Sequence, residues 1–256
     1  MKILKEIIID DNYLVRDKSS SDGAQDKFYK EGIWYKSDYY GGEAEAEYLS
    51  SLLLSCTNLE KKAYVLYEKC KLNQSKGCFS TDFLDASQKE EFVTFYRLYF
   101  NIYGKDLAAV TSRMDYDDAI EYVIKFVKEV TDLDIRCYLA NTFYLDRIIL
   151  NTDRHFNNMG IIFDGENYRE APIFDNGKSL FVGESYEEDM SDSEIQAKIR
   201  KLYAKAFSPS FQMNYNYLKE DTDIALNLEL LKEKLKEVPE SFQKRILIIQ
   251  LSKIFA

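Results

Sequence analysis

The 256-residue chain contains little histidine, cysteine or proline, and each shortage excludes a class of protein. A single histidine is too few for a metal-dependent hydrolase, whose centre needs several histidine or carboxylate ligands. The four cysteines are scattered without C-x-x-C spacing, so we expect reduced thiols of a cytoplasmic protein and neither a disulfide frame nor a zinc site. With only 3 prolines and 10 glycines, the chain should be well structured and free of long linkers.

Long hydrophobic runs and an excess of positive charge are also missing. No segment approaches the roughly 20 apolar residues that a membrane helix requires. The first residues, M-K-I-L-K-E, reach charged positions too early for a secretory signal. The net charge of −10 disfavours both a nucleic-acid backbone and an anionic membrane as the main partner. We therefore expect a soluble protein with no direct nucleic-acid partner and no membrane association.

Strand patterns dominate the first third of the chain. A hairpin is predicted across Lys27 to Lys36, turning at Glu31-Gly32, and a helix is predicted after Gly41-Gly42. Two further strands are predicted over Lys2 to Ile9 and over Ala63 to Cys70, where β-forming residues cluster.

From about Ser87 onwards, apolar residues recur mainly at helical spacing. A β-hairpin is predicted around the turn at Asp164-Gly165. Helices are predicted through residues 92–99, 120–127, 135–150, 224–237 and 241–255. Strands with one helix first and helices afterwards predict an α+β fold of two lobes, a small β-rich N-terminal lobe (1–80) and a larger helical C-terminal lobe (81–256).

Three polar residues, Asp153, Asn158 and Asp175, carry the chemistry that the sequence suggests. They are spaced by five and then seventeen positions, and Asp175 begins a D-N-G turn after two apolar residues. Protein kinases use the same three groups in the same order: an Asp that orients the nucleophile's proton, an Asn that holds Mg²⁺, and an Asp that also holds Mg²⁺. This order predicts Asp153 as the catalytic residue and Asn158 and Asp175 as metal ligands.

Each of these residues also has a purely structural interpretation. Asp153 and Asn158 could be ordinary turn residues, and Asp175 could accept a local hydrogen bond within its own turn. The only histidine, His155, lies inside the motif, and we predict a supporting role for it, with no part in proton transfer.

A kinase also needs a lysine for the nucleotide phosphates, paired with a carboxylate on a helix. Lys36 ends the second strand of the predicted hairpin, and Lys27 and Lys30 are its rivals. Glu47 shares the inward face of the following helix, whereas Glu43 and Glu45 are expected to be solvated. The sequence therefore predicts Lys36 and Glu47 as the pair that orients ATP.

The motif segments together resemble the HipA-like serine/threonine kinases, which include toxins of toxin–antitoxin modules. The resemblance rests on residues 151–158 (N-T-D-R-H-F-N-N), on residues 171–180 (A-P-I-F-D-N-G-K-S-L) and on residues 23–27 (G-A-Q-D-K). Asp26 departs from the proline that is frequent in the family at this position. The resemblance implies a bilobal protein-kinase-like fold, ATP and Mg²⁺ as cofactors, a protein substrate in the cytoplasm and an antitoxin partner.

The same resemblance implies a phosphate-covering loop around residues 19–27. Gly23, Ala24 and Gln25 would bind the nucleotide there, and we hypothesise that Ser19, Ser20 or Ser21 accepts phosphate from the chain itself. A flexible linker is an equally good interpretation of this segment. Two other functions stay open for the whole chain: a lipid or small-molecule kinase, and a catalytically silent ATP-binding module.

Overall fold

The N-terminal part of the protein is built on a five-stranded sheet. The structure, a computed structural model, describes residues 4–15 and 25–255. The strands are β1 (Lys5–Ile7), β2 (Lys27–Lys30), β3 (Ile33–Ser37), β4 (Glu68–Leu72) and β5 (Ser75–Thr81). Their order in the sheet is β1-β4-β5-β3-β2, with β1 parallel to β4 and the other pairs antiparallel.

Helix α1 (Glu43–Leu54) follows the β2–β3 hairpin and packs on β4 and β5. Its start is fixed by Asp38, whose carboxylate accepts hydrogen bonds from the backbone amides of Gly42 and Ala44. Gly42 has a φ of 98°, a left-handed conformation that glycine adopts without steric cost. The predicted hairpin and the helix after Gly41-Gly42 are both confirmed. The expectation that Glu43 is solvated is wrong, because this residue is buried and its carboxylate accepts hydrogen bonds from the amides of Tyr39 and Tyr40.

The prediction of a strand over Ala63 to Cys70 is wrong for its first half. Strand β4 begins only at Glu68, because the backbone before it bonds elsewhere. Ala63 and Val65 exchange hydrogen bonds with Ile173, and the amide of Tyr67 donates to the side chain of Ser51. This segment therefore links the sheet to the region that carries Asp175.

The second part of the chain is mainly helical. A small antiparallel sheet contains β6 (Glu91–Thr94), β7 (Gly160–Phe163) and β8 (Tyr168–Glu170). The helices are α2 (Phe95–Tyr103), α3 (Leu107–Thr111), α4 (Tyr116–Thr131), α5 (Arg136–Ile149), α6 (Asp192–Ile199), α7 (Phe211–Leu218), α8 (Leu228–Glu237) and α9 (Phe242–Ile254).

Most of the predicted helices and the β7–β8 hairpin are confirmed, with two corrections. Phe92 does not belong to a helix, since it lies in β6, and α2 begins at Phe95 behind Thr94, whose hydroxyl accepts from the amide of Arg97. Helix α8 begins at Leu228, four residues later than predicted.

One large hydrophobic cluster joins both parts of the chain. Leu49, Leu53 and Leu54 of α1 are buried in the same cluster as apolar residues of α4, α5, α8 and α9. This packing fixes α1 against the helical part and holds the carboxylate of Glu47 at a defined place. The lobe boundary at residues 80 and 81 stays a prediction.

Within residues 4–15 and 25–255, the helices are too short or too polar to cross a membrane.

Candidate active site

The side chain of Lys36 lies at the centre of the candidate site. It extends from β3 and is only 7% exposed. Its Nζ atom lies 2.8 Å from Oε1 of Glu47 and 2.8 Å from Oδ1 of Asp175, and the Tyr67 hydroxyl lies at 3.4 Å. The predicted lysine therefore contacts both predicted carboxylates.

Glu47 links this lysine to the turn that carries Asp175. It is 1% exposed, and its second oxygen, Oε2, accepts a hydrogen bond of 2.9 Å from the backbone amide of Asn176. A buried carboxylate keeps its charge only when it is paired and hydrogen-bonded, and Glu47 has both kinds of partner. Helix α1, strand β3 and the turn at Asp175 are thus held at one point.

The ionisation of these groups follows from burial and from their mutual distances. Burial alone would lower the pKa of Lys36, but the carboxylates of Asp175 and Glu47 raise it well above its ordinary value. Burial likewise opposes the charge of Asp175, yet Lys36 and Lys27 lower its pKa well below the usual range. Burial raises the pKa of Glu47 in spite of Lys36. Asp175 therefore remains an anion and Lys36 a cation at neutral pH.

The two rival lysines lie at different distances from the site. Lys27 pairs with the other oxygen of Asp175, with 3.7 Å between Nζ and Oδ2. The Nζ atom of Lys30 lies over the ring of Tyr13, 5.0 Å from its centre. Lys36 is thus the buried lysine of the three, and Lys27 adds a second positive charge beside Asp175.

Asp153 lies in the loop between α5 and β7 with its carboxylate partly exposed. Its backbone amide donates to the side chain of Asn151. One carboxylate oxygen, Oδ1, lies 2.5 Å from Nζ of Lys205, and the other lies 3.8 Å from Nε2 of His155. The carboxylate is therefore accessible to a substrate hydroxyl and faces a lysine that the sequence analysis did not identify.

Asn158 is oriented within the same loop by its amide nitrogen, which donates to the carbonyl oxygen of Asp153 over 2.9 Å. Among the described residues, its Oδ1 atom is buried and accepts no hydrogen bond. A buried amide oxygen without a donor is costly, and a hard cation would satisfy it. Asn158 and the ionised Asp175 are thus chemically suited to Mg²⁺.

The described residues contain no cluster of three or more His, Cys, Asp or Glu side chains that could hold a metal by themselves. Proteins often bind magnesium through one or two oxygen ligands together with nucleotide phosphates and water.

Arg154 is a residue of the candidate site that sequence reasoning missed. Only 1% exposed, it forms an ion pair with Asp146 of α5 at 3.0 Å. It also donates to the carbonyl oxygen of Phe174 over 2.6 Å and to the side chain of Asn176. Arg154 therefore joins the loop of Asp153 to the turn of Asp175. No clear sequence signal identified it, because its partner Asp146 lies in α5 beside other polar residues, among them Asn141, Thr142 and Arg147.

His155 lies at the edge of the site and is partly exposed. Its Nδ1 atom accepts a hydrogen bond from the amide of Asn157, and burial lowers its pKa in spite of the nearby Asp153. Arg154 is fully buried in this loop, whereas His155 is not. A supporting role for His155 stays a prediction.

Gln25 begins the second described range and is partly buried in a bend ahead of β2. Gly23 and Ala24 lie outside the described residues, as do Ser19, Ser20 and Ser21. Their predicted roles stay predictions.

A cavity of about 700 Å³ lies elsewhere in the molecule. Its lining is drawn from residues 59–66, from the connection at 81–90, from α5 and from residues 169–173. Lys36, Glu47, Asp153, Asn158 and Asp175 are not among its lining residues, so we do not assign the candidate chemistry to it.

Comparison with solved structures supports the fold. The proinflammatory kinase CtkA of Helicobacter pylori superposes with a TM-score of 0.60 at 15% identity, over 91% of this chain and 89% of that one. HipA of Shewanella oneidensis, solved in a toxin–antitoxin complex with HipB and operator DNA, superposes with a TM-score of 0.52 at 10% identity. That match covers 91% of this chain and 63% of HipA.

Neither a protein-family model nor a curated protein matches the sequence. At 10–15% identity the solved structures establish the architecture, and the chemistry must be argued from the residues themselves. The likeness predicted from the motifs is confirmed at this level: the chain has the α+β fold of the HipA-like kinases, with a β-rich part and a helical part.

Proposed function

We propose that this chain is an ATP- and Mg²⁺-dependent serine/threonine protein kinase of the HipA-like type. The observation that carries the proposal is the position of Lys36 within 2.8 Å of both Glu47 and Asp175. A lysine paired with a helix glutamate beside a metal-binding aspartate is the arrangement that kinases need for phosphoryl transfer. A silent module would have no need to pair a buried lysine with both a buried glutamate and a partly buried aspartate.

In this proposal each residue has one task. Lys36, oriented by Glu47, binds phosphate oxygens of ATP, and Gly23, Ala24 and Gln25 also contribute to nucleotide binding. Asn158 and Asp175 hold Mg²⁺, which would offset the charge of the transferring phosphoryl group. Asp153 orients a serine or threonine hydroxyl and accepts its proton. Catalysis rests on placement and electrostatics, because these groups are fixed before the substrate arrives.

The partners follow from the same proposal. The substrate is a cytoplasmic protein, and the four cysteines are free thiols, as a reducing compartment would keep them. The HipA structure contains the partner HipB, so an antitoxin-like partner and a toxin role are proposed by analogy for this chain.

The test compares the wild type with Asp153→Asn after incubation with ATP and Mg²⁺. ADP release and intact mass are measured, together with the melting temperature. Asp118→Asn, an exposed change on α4, is the matched control. We expect wild type and control to turn over ATP or gain phosphate, and Asp153→Asn to be about 10²- to 10⁴-fold slower.

Two outcomes would contradict the proposal. If candidate protein substrates and the chain itself stay unmodified while ATP with Mg²⁺ raises the melting temperature, the protein is an ATP-binding module. If phosphate is transferred only to lipids or small molecules, the reaction class holds and the protein-kinase assignment fails.

A further inference from the structure

The loop of Asp153 contains no cation that is available to a nucleotide. Its only arginine, Arg154, is fully buried and is used by Asp146, Phe174 and Asn176. In phosphoryl transfer, negative charge is spread over the three non-bridging oxygens, and positively charged groups near these oxygens accelerate the reaction. Lys36 belongs to the N-terminal part of the chain. A cation beside Asp153 must therefore come from another segment.

Lys205 supplies a cation at that place. Its Nζ atom lies 2.5 Å from Oδ1 of Asp153, although the two residues are 52 positions apart. The side chain of Lys205 is 53% exposed, so its ammonium can reach a ligand and is not sealed inside the protein.

The segment that carries Lys205 is fixed by hydrogen bonds and by ring packing. The amide of Ala204 donates to the carbonyl oxygen of Pro209, and the buried Ser208 exchanges two hydrogen bonds with the side chain of Asn214. The ring of Phe207 packs edge-on against Phe156, with 5.3 Å between the ring centres. Because Phe156 belongs to the loop of Asp153, the two segments are fixed to each other.

The backbone beside Lys205 has an unfavourable conformation. Ala206 has a φ of 78°, a region that residues other than glycine rarely adopt. Such strain persists only where the surroundings enforce it, and it clusters at functional sites. An exposed ion pair contributes little to stability. The stability gained from the Lys205–Asp153 contact therefore does not explain why the strained backbone at Ala206 is kept.

We propose that Lys205 is a catalytic residue that contacts the transferring phosphoryl group while it pairs with Asp153. This inference rests on the proposed kinase function. The substrate hydroxyl oxygen bonds to the γ-phosphorus, and the bond to the β–γ bridging oxygen breaks with its electron pair leaving on ADP. The hydroxyl proton passes to Asp153. Lys205 keeps its protons and stabilises negative charge on the non-bridging oxygens.

The kinetic test uses Lys205→Ala, Lys205→Arg and, as a matched control, Lys201→Ala, which alters an exposed lysine of the same segment. We expect Lys205→Ala to lower kcat by about 10²-fold or more with little change in KM for ATP, because the contact is made in the transition state. Lys205→Arg should restore part of the rate, and Lys201→Ala should match the wild type. An unchanged rate for Lys205→Ala would overturn the proposal. A faster rate would also overturn it and would show that Lys205 inhibits the reaction by pairing with Asp153.

A second test does not depend on turnover. Lysines are acetylated with a limiting reagent, and the modification of each is measured by mass spectrometry. An ammonium held by a carboxylate reacts slowly, so Asp153→Asn should speed the acetylation of Lys205 about two- to fivefold and leave Lys201 unchanged. A non-hydrolysable ATP analogue with Mg²⁺ should protect Lys205 in the wild type.

The two tests separate this proposal from the kinase assignment. If the wild type neither binds nor hydrolyses ATP but Asp153→Asn still speeds the acetylation of Lys205, the pair exists and the kinase function fails. If ATP is turned over while Lys205 is neither protected by the analogue nor sensitive to Asp153→Asn, the kinase stands and the role of Lys205 is refuted.

Discussion

Replacing Arg154 by methionine tests the physical basis of the site without any assay of activity. Methionine fills much of the same space but leaves the buried carboxylate of Asp146 without its cation and the carbonyl oxygen of Phe174 without its donor. Removing one partner of a buried ion pair costs about 3–5 kcal/mol, because an uncompensated charge is left behind. Since domains are stable by roughly 5–15 kcal/mol, the loss should be a large fraction of the total.

The pairing itself is measured by a double-mutant cycle with Asp146→Asn. Each single variant leaves a buried group unpaired, whereas the double variant removes both charges together. We expect the double variant to be more stable than the sum of the single losses predicts, by about 2 kcal/mol. Urea unfolding followed by circular dichroism gives the four unfolding free energies, those of the wild type, the two single variants and the double variant. If the losses add to within about 0.5 kcal/mol, Arg154 and Asp146 are not energetically coupled and the reasoning is refuted.

The pH dependence of Arg154→Met provides a further check on the same contact. Burial already raises the pKa of Asp146 in the wild type, and losing Arg154 must raise it further. A carboxyl whose folded pKa lies above its unfolded value stabilises the fold when protonated and loses this contribution as pH rises through the folded pKa. The loss of unfolding free energy caused by Arg154→Met should therefore grow from pH 5 to pH 8. A deficit that shrinks over this range would contradict the assignment.

Three other predictions concern different parts of the site. Lys36→Met should lower ATP turnover by at least about 10²-fold, whereas Lys30→Met on the same hairpin should retain most of it, as measured by ADP release. Because burial lowers the pKa of His155, the only histidine, a ¹H NMR titration should show one imidazole midpoint below about 6.5. The contribution of His155 to the unfolding free energy should then fall as the pH drops below about 6.5. A midpoint above about 6.5 would refute this prediction. Gly77→Ala should destabilise the protein by about 1–3 kcal/mol, because the new Cβ would lie 2.6 Å from the carbonyl oxygen of Lys36. The control Ser75→Ala, at an exposed position of the same strand, should stay within about 0.5 kcal/mol of the wild type. Both are measured by urea unfolding.

The parts of the site that could be predicted from sequence lie in contiguous segments or follow from regular geometry. Asp153 and Asn158 share one short loop, and Asp175 follows a hairpin that the pattern clearly indicated. Lys36 and Glu47 were predicted because a strand end and the inward face of a helix are periodic features. The structure places them 2.8 Å apart, and their roles toward ATP stay predictions.

The residues that sequence missed depend on tertiary packing. Arg154 gave no signal because its partner Asp146 lies in a helix that was judged only by its apolar residues. Tyr67 was assigned to a strand, yet its hydroxyl lies 3.4 Å from both Lys36 Nζ and the amide of Asp175. Strand β5 was not predicted, because S-K-G-C-F-S-T lacks clear alternation. In each case, contacts between distant segments decided the local structure.

The placement of charges explains why the missed residues matter. The carboxylates of Asp153 and Asp175 come from loops that Arg154 fastens together, and like charges in one site oppose each other. The cations facing them come from distant segments, with Lys36 and Lys27 at Asp175 and Lys205 at Asp153. A fold that brings these segments together therefore places a cation beside each of the two carboxylates. An anionic phosphate chain is the kind of ligand that such an arrangement favours.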